Sequence, residues 1–350
     1  MSLVNTLMQP LRTKYAATLD KNEARGSRYG AYDFFRKDSS GMDRIFTSED
    51  VQRIKRSFGN SVVIPVLDAK NVTIGNVRSC TVADDENTSN LVTLSFVTYA
   101  FGFTMHPASH YNNDVAYQQD FDRKLVSYLN KLAATLDSAC ITQLETNKNA
   151  LWTDLTDYYA VVADALQVPL ASHAAYYNDL QAIMDTADFY GDIEIISSTT
   201  GSPIVRYLMN QGAGNDENNA FAMTPYNWGW SNRIANGVGV KSTQYAVQSG
   251  TVAMETRLDP DAIAKSKIGQ IAQWDAVKVP IPGSNYELEM ASFYREDCGD
   301  ASGLHAGTSG LTATKKQSFQ WSVDVVYATA YNSNPAARYN PIIKAELLTA

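Results

Sequence analysis

Apolar residues at Phe121, Leu125, Tyr128, Leu129, Leu132, Leu136, Cys140 and Leu144 follow one another mostly at steps of three and four. That spacing lines them up on one stripe of an α-helix for roughly six turns. Asn113 or Asp114 can cap its start, and the stripe fades at Asn147-Lys-Asn149, so the pattern predicts a helix over 113–149. At about 1.5 Å per residue this is a rod of roughly 50 Å, against a globular mean of about 11–12 residues. Phe121, Leu125, Leu129, Leu132 and Leu136 are its expected core face.

Ahead of the rod the pattern changes twice. Residues 1–45 alternate polar and basic residues with single apolar ones and show no sustained period, which reads as an extended or partly helical arm with little core of its own. Thr47-Ser-Glu-Asp50 is a helix start, with Ser48 as N-cap and acids in the first turn. Val51, Ile54 and Phe58 give it one apolar face before Gly59 stops it. From Ser61 the residues become β-branched: Val62-Val-Ile-Pro-Val66, with Pro65 arguing for an edge strand or a strand end, then Asn71-Val-Thr-Ile-Gly75 and Arg78-Ser-Cys-Thr-Val82. A polar tip over 83–90 separates these from Leu91 to Met105, the strongest strand signal in the chain. Residues 61–105 therefore read as a long hairpin or small sheet that protrudes from a body.

After the rod the reading is α/β. Helices are expected at 155–167 and 172–187, a strand over Asp192-Ile-Glu-Ile-Ile196, and a helix from Ser202 with Pro203 at its first position and Gly212 at its close. Strands then dominate, at Gly239–Val247, Thr251–Leu258, Ala276–Pro280, Tyr286–Tyr294, Phe319–Tyr331 and Ile342–Leu347. Asp259-Pro-Asp-Ala262 starts a short helix among them, and the Gly/Ser/Ala/Thr-rich stretch Asp297–Thr314 is a loop. The fold class is α+β, without internal repeats.

The 350 residues are 45% hydrophobic and 19% charged, the balance of a globular chain and not of a disordered one. The net charge of −8 is uneven: residues 1–60 hold 11 Lys/Arg against 7 Asp/Glu, net +4, and the remainder holds 18 against 30, net −12. Such a body has no general attraction for nucleic acid. The basic pairs Arg36-Lys37 and Lys55-Arg56 suit an arm lying on another acidic subunit as well as they suit DNA. The 20 tyrosines offer rigid, amphipathic area for a core or a subunit contact. The N-terminus lacks the pattern of a secretory signal, and no apolar run is long enough to span a membrane.

Candidate chemistry is sparse. Cys80, Cys140 and Cys298 lie far apart with no CxxC spacing and read as reduced thiols. His106 and His110 are four apart, but Pro107 between them breaks the helix that would align them, and only Asp114 is a nearby carboxylate. Asp84-Asp85-Glu86 and Asp297/Asp300 lack EF-hand spacing and read as solvated loop acids. Gly237-Val-Gly-Val240 is no dinucleotide loop, Gly201-Ser-Pro203 has no Walker lysine, and no GxSxG elbow occurs. No catalytic residue, cofactor or metal is expected.

The order of parts carries the functional signal: a basic arm, a protruding hairpin, a very long helix, then an α/β region ending in strands. Over most of residues 20–350 this resembles the major capsid protein of tailed bacteriophages (Caudoviricetes), a fold shared with encapsulins and the herpesvirus capsid floor. Several segments are also similar in wording to phage capsid sequences: Val63-Ile-Pro-Val66 with Thr73-Ile-Gly75, Phe121-Asp-Arg-Lys-Leu125, Asn178-Asp-Leu180 with Asp188-Phe-Tyr-Gly191, Leu258-Asp-Pro-Asp-Ala262, Phe293-Tyr-Arg-Glu-Asp-Cys298 and Thr329-Ala-Tyr-Asn-Ser333. The resemblance implies an N-terminal arm and short helix (1–60), an extended loop over a neighbouring subunit (61–105), a peripheral domain (106–154 and 297–331) with the long helix as spine, and an axial domain (155–296 and 332–350). It implies self-assembly as hexamers and pentamers into an icosahedral shell around double-stranded DNA. The implied partners are a portal protein, scaffolding and decoration proteins, and weakly held DNA. The implied location is the virion, after synthesis in the host cytoplasm. A fused scaffolding domain is not expected, nor is a Lys–Asn crosslink. Lys55, Arg56, Asp84, Asp85 and Glu86 are the expected intersubunit contacts. An encapsulin-like compartment shell is the nearest alternative, though an encapsulin would be shorter and bind cargo. An α/β enzyme without a recognisable motif is the alternative of a different class.

Overall fold

The computed structural model describes residues 6–10, 29–40, 45–67, 89–107, 114–150, 158–186, 189, 191–212, 226–258, 260, 273–284, 286–298, 315–329 and 341–350. The expected strands over 71–75 and 78–82, the acids Asp84, Asp85 and Glu86, the loop 299–314 and most of the short helix at 259–262 lie outside the described residues.

The rod is one helix, Asp114–Thr146, of 33 residues. Its first half lies on a five-stranded sheet in which β10 (Gln273–Pro280), β11 (Glu287–Cys298), β12 (Lys315–Thr329) and β3 (Val97–Met105) are neighbours and β9 (Val252–Arg257) pairs with the far end of β12. Phe121 meets Phe319 of β12 edge-on at 5.1 Å and Phe103 of β3 at 5.5 Å. Its C-terminal end is tied to a six-stranded sheet, ordered β4 (Ala160–Val162), β5 (Ala165–Val168), β13 (Ile342–Leu348), β8 (Val240–Gln248), β6 (Ile193–Ser198), β7 (Asn227–Ser231). There Tyr245 donates to Glu145 at 2.6 Å, Lys344 pairs with Glu145 at 3.2 Å, and the Asn149 amide donates to the Ile342 carbonyl at 2.8 Å. One helix thus joins both sheets. On its solvent side Thr135, Ser138, Thr142 and Thr146 each donate to the carbonyl four residues back, which satisfies their hydroxyls without a partner element.

The six-stranded sheet is covered on both faces, and the period of two along its strands decides which residue goes where. Ile196, Tyr245, Val247 and Ile342 join the long helix in the main core. Their neighbours Ile195, Ala246 and Ile343 pack in a second core with Tyr176, Tyr177 and Leu180 of helix His173–Thr186 and with Ile204 and Leu208 of helix Ser202–Gly212.

Helix Gly30–Ser40 differs from the arm expected over 1–45, because Ala31, Tyr32, Phe34 and Phe35 are buried in the main core. The helix lies so close to β7 that a Cβ on Gly30 would come within 2.5 Å of the Trp230 amide nitrogen, and one on Gly229 within 2.4 Å of the Phe34 ring. Asp137, buried in the long helix, accepts from the Tyr32 amide at 3.1 Å and from the Ser231 hydroxyl at 2.5 Å, with Arg233 at 3.6 Å. It therefore serves as a distant N-cap, satisfying a first-turn donor that the short helix cannot satisfy itself. Burial raises the Asp137 carboxyl above the usual range, while the bonds from Ser231 and Tyr32 oppose that rise. Eleven residues with apolar side chains at 31, 32, 34 and 35 are too short a run to show a period between basic flanks.

Three further expectations are corrected. The N-cap of helix Ser48–Arg56 is Thr47, not Ser48: the Asp50 amide donates to Thr47 at 3.2 Å and the Thr47 amide to Asp50 at 3.1 Å, a reciprocal capping box. The helix expected at 155–167 is instead the antiparallel pair β4–β5 among its described residues. Ala163 and Asp164 turn between the strands at φ 50° and 58°, the two positive angles of a tight hairpin turn, here made without the usual glycine. The single run Leu91–Met105 breaks at Phe96 into β2 (Ser89–Ser95) and β3, which belong to different sheets. The strands β9 to β11 join the sheet of β3 and β12, so strand pairing passes from one sheet to the other between β8 and β9. The edge strand β7 had no counterpart in the sequence reading.

Candidate functional site at the hairpin base

β1 (Ser61–Leu67) and β2 pair antiparallel with Val62 opposite Leu94 and Ile64 opposite Val92. Opposite residues share a face, so these four form one apolar side. Val62, Ile64 and Leu94 pack into a third core with Phe46, Ile54, Ala253, Val326 and Ala328, on the side of β12 away from the long helix. The other side carries Val63 opposite Thr93, and Leu91 opposite Pro65. There Val63 is 42% and Leu91 70% exposed, with Phe58 81% exposed at the end of the preceding helix. Among the described residues the paired strands are thus apolar on both sides and covered on one, which leaves apolar surface open.

The hairpin leaves the body through one clasp. Arg257 of β9 sits directly across from Asp324 of β12, which sits across from Thr98 of β3. The Arg257 guanidinium donates to Asp324 from Nε at 3.0 Å and Nη2 at 2.8 Å, and Thr98 donates to the other carboxylate oxygen at 2.6 Å. The same guanidinium lies 3.6 Å above the Phe96 ring and donates to the Ser57 carbonyl. Phe96 in turn donates its amide to Asn60 at 2.9 Å. One buried cation therefore holds the end of helix Ser48–Arg56, the crossing from β2 to β3 and two body strands together. Sequence reasoning missed this pair because its members are 67 residues apart. The available signal was Asp324 itself, the one acid of β12, standing between Val323 and Val325.

Of the expected contact residues, Lys55 lies 3.8 Å from Glu255 of its own chain. Arg56 is exposed and lines a shallow cleft with Glu49, Gln52, Arg53 and residues 61–63. The long-helix residues Phe121, Leu125, Leu129, Leu132 and Leu136 are buried together in the main core. Tyr128 lies at the stripe's exposed edge, stacked on Phe101 at 5.6 Å and Phe103 at 5.8 Å. Cys140 is buried, and burial pushes its thiol well up, away from thiolate chemistry. Among the described residues no group of three His, Cys, Asp or Glu is placed to hold a metal ion, and no helix is long and apolar enough to cross a membrane.

No family model matches the chain, and no curated protein matches it in sequence. Among solved structures the chain is similar to the mature capsid asymmetric unit of bacteriophage PhiM1, at 10% identity over 83% of each chain with a TM-score of 0.45. It is similar to the capsid of Myoviridae phage XM1, at 11% identity over 88% of this chain and 96% of that one with a TM-score of 0.44. It is also similar to a structure from Microbacterium phage Oxtober96, at 15% identity over 88% of this chain and 95% of that one with a TM-score of 0.43.

Proposed function

We propose that this chain is a structural shell subunit, a major capsid protein of the tailed-bacteriophage type, which closes with copies of itself as hexamers and pentamers into an icosahedral shell around double-stranded DNA. The observation that carries the reading is the hairpin, clasped to the body at its base and apolar on the face it leaves open. In this reading the five-stranded sheet with the first half of the long helix is the peripheral domain. The six-stranded sheet with its two helices is the axial domain, and the hairpin lies over a neighbouring subunit. Closed symmetry repeats one modest contact many times, so small interfaces suffice. A portal protein, a separate scaffold, decoration proteins and packaged DNA are the partners that such a shell takes. The acids Asp84, Asp85 and Glu86 are proposed to meet a neighbour's basic patch, with the exposed Arg56 as a candidate.

The test is the double substitution Val63→Asp with Leu91→Asp. Both side chains are exposed, so each change is expected to move subunit stability by no more than about 0.5 kcal/mol. Assembly, followed by light scattering, is expected to fail or to need far higher protein concentration. A double variant that assembles like the parent shows that this face is not a subunit contact.

A further inference from the structure

Helix Ser202–Gly212 packs into the second core by one face and lines a cavity with the edge of that face. Ile204, Tyr207 and Leu208 stand three and four residues apart, so they share one side of the helix. Ile204 and Leu208 are buried in the second core, while Tyr207 is exposed. The opposite wall is the short turn Leu170–Ser172, which leads into helix His173–Thr186, and there Leu170 is exposed too. The small side chains of Ala171 and Ala174 leave room on this wall, and the cavity between the two walls measures about 520 Å3. Ligand sites of about 300–1,000 Å3 are typically apolar in this way, with a few polar groups that fix orientation.

Here the polar groups are two. His173 is buried in the wall. Burial, and after it the Lys241 charge, lowers its imidazole below the usual range, with backbone bonds at Val168 and Leu348 opposing, so the ring is neutral at pH 7. Lys241, at the start of β8, is exposed and is the one formally charged residue of the lining. Among the described residues no carboxylate is paired with it. Residues 61–350 carry a net charge of −12, so a cation without an acid beside an apolar cavity stands out from its surroundings.

We propose that this cavity binds a small amphiphile with a single anionic head, its apolar tail lying between Leu170 and Tyr207 and its head at the Lys241 ammonium. Covering the two exposed side chains and the cavity wall removes apolar surface from water, which supplies most of the affinity. The ion pair at the hydrated rim adds less, and it selects an anionic head over a neutral one. The ligand belongs to the single subunit, so the proposal holds whether or not copies close into a shell.

Equilibrium dialysis of the full chain against octanoate, octanol and acetate tests it. Octanoate is expected to bind saturably, octanol more weakly and acetate not at all. From butanoate to octanoate the affinity is expected to rise roughly threefold per methylene. Lys241→Met is expected to weaken octanoate roughly two- to fivefold and to leave octanol unchanged. Ala171→Trp fills the cavity and is expected to abolish binding of both. Tyr207→Ala removes one wall and is expected to weaken both alike, which keeps the test sound if Ala171→Trp does not fold. All three positions are exposed, so the fold is expected to tolerate the changes. Octanol held as tightly as octanoate, an octanoate affinity indifferent to Lys241→Met, or binding undiminished by Ala171→Trp and Tyr207→Ala overturns the site. Absence of saturable octanoate binding also overturns it, and impaired self-association of Ala171→Trp then assigns the cavity to a second copy of the chain.

Discussion

Leu129→Asp is expected to prevent the chain from folding. Leu129 is fully buried midway along the long helix, within a core that includes Phe121, Leu125 and Leu132. Losing a buried leucine side chain costs about 2–5 kcal/mol. An ionised carboxylate put in its place, among apolar neighbours, adds several kcal/mol more. The sum approaches the whole margin of a typical domain, about 5–15 kcal/mol. Ser138→Asp is the control, since Ser138 lies on the exposed side of the same helix and changes only a local hydroxyl bond. Circular dichroism and the soluble fraction read the outcome. A soluble Leu129→Asp protein with a cooperative thermal transition near the parent's contradicts the placement of this face.

The second large effect belongs to the clasp. Asp324→Ala leaves the Arg257 guanidinium buried with its counter-ion gone, a situation that costs about 3–5 kcal/mol. Thr98 loses its acceptor at the same time. The double change Arg257→Met with Asp324→Leu removes both charges and keeps similar volume, and such replacements are often neutral or stabilising. Urea midpoints are therefore expected to fall sharply for the single variant and to return most of the way for the double. A double variant as unstable as the single shows that packing over Phe96, and not charge pairing, holds the hairpin base.

What could be read from the sequence depended on how local the information was. The long helix was legible to within a residue or so of its start because eight apolar side chains repeat its own period. Helix His173–Thr186 and the strands β8, β9, β12 and β13 carry comparable local signals. The docking of Gly30–Ser40 was hidden because its evidence is held elsewhere, in Gly229 on β7 and Asp137 on the long helix. The β4–β5 turn was missed because Ala163-Asp164 adopts positive φ without the glycine or asparagine that usually announces it. Sheet membership of β9 and β11 depends on pairing with β12, and that of β10 on pairing with β11, which no single segment encodes. At the candidate site the β-branched strands of the hairpin were visible, but the Arg257–Asp324 clasp at their base was not.

Sizing of the purified full-length chain, by sedimentation velocity with electron microscopy of the same sample, tests the shell assignment most directly. The expected result is closed, uniform, megadalton particles with five- and six-fold clusters, formed alone or on addition of a scaffolding protein. A chain that stays strictly monomeric at high concentration with scaffold supplied contradicts it.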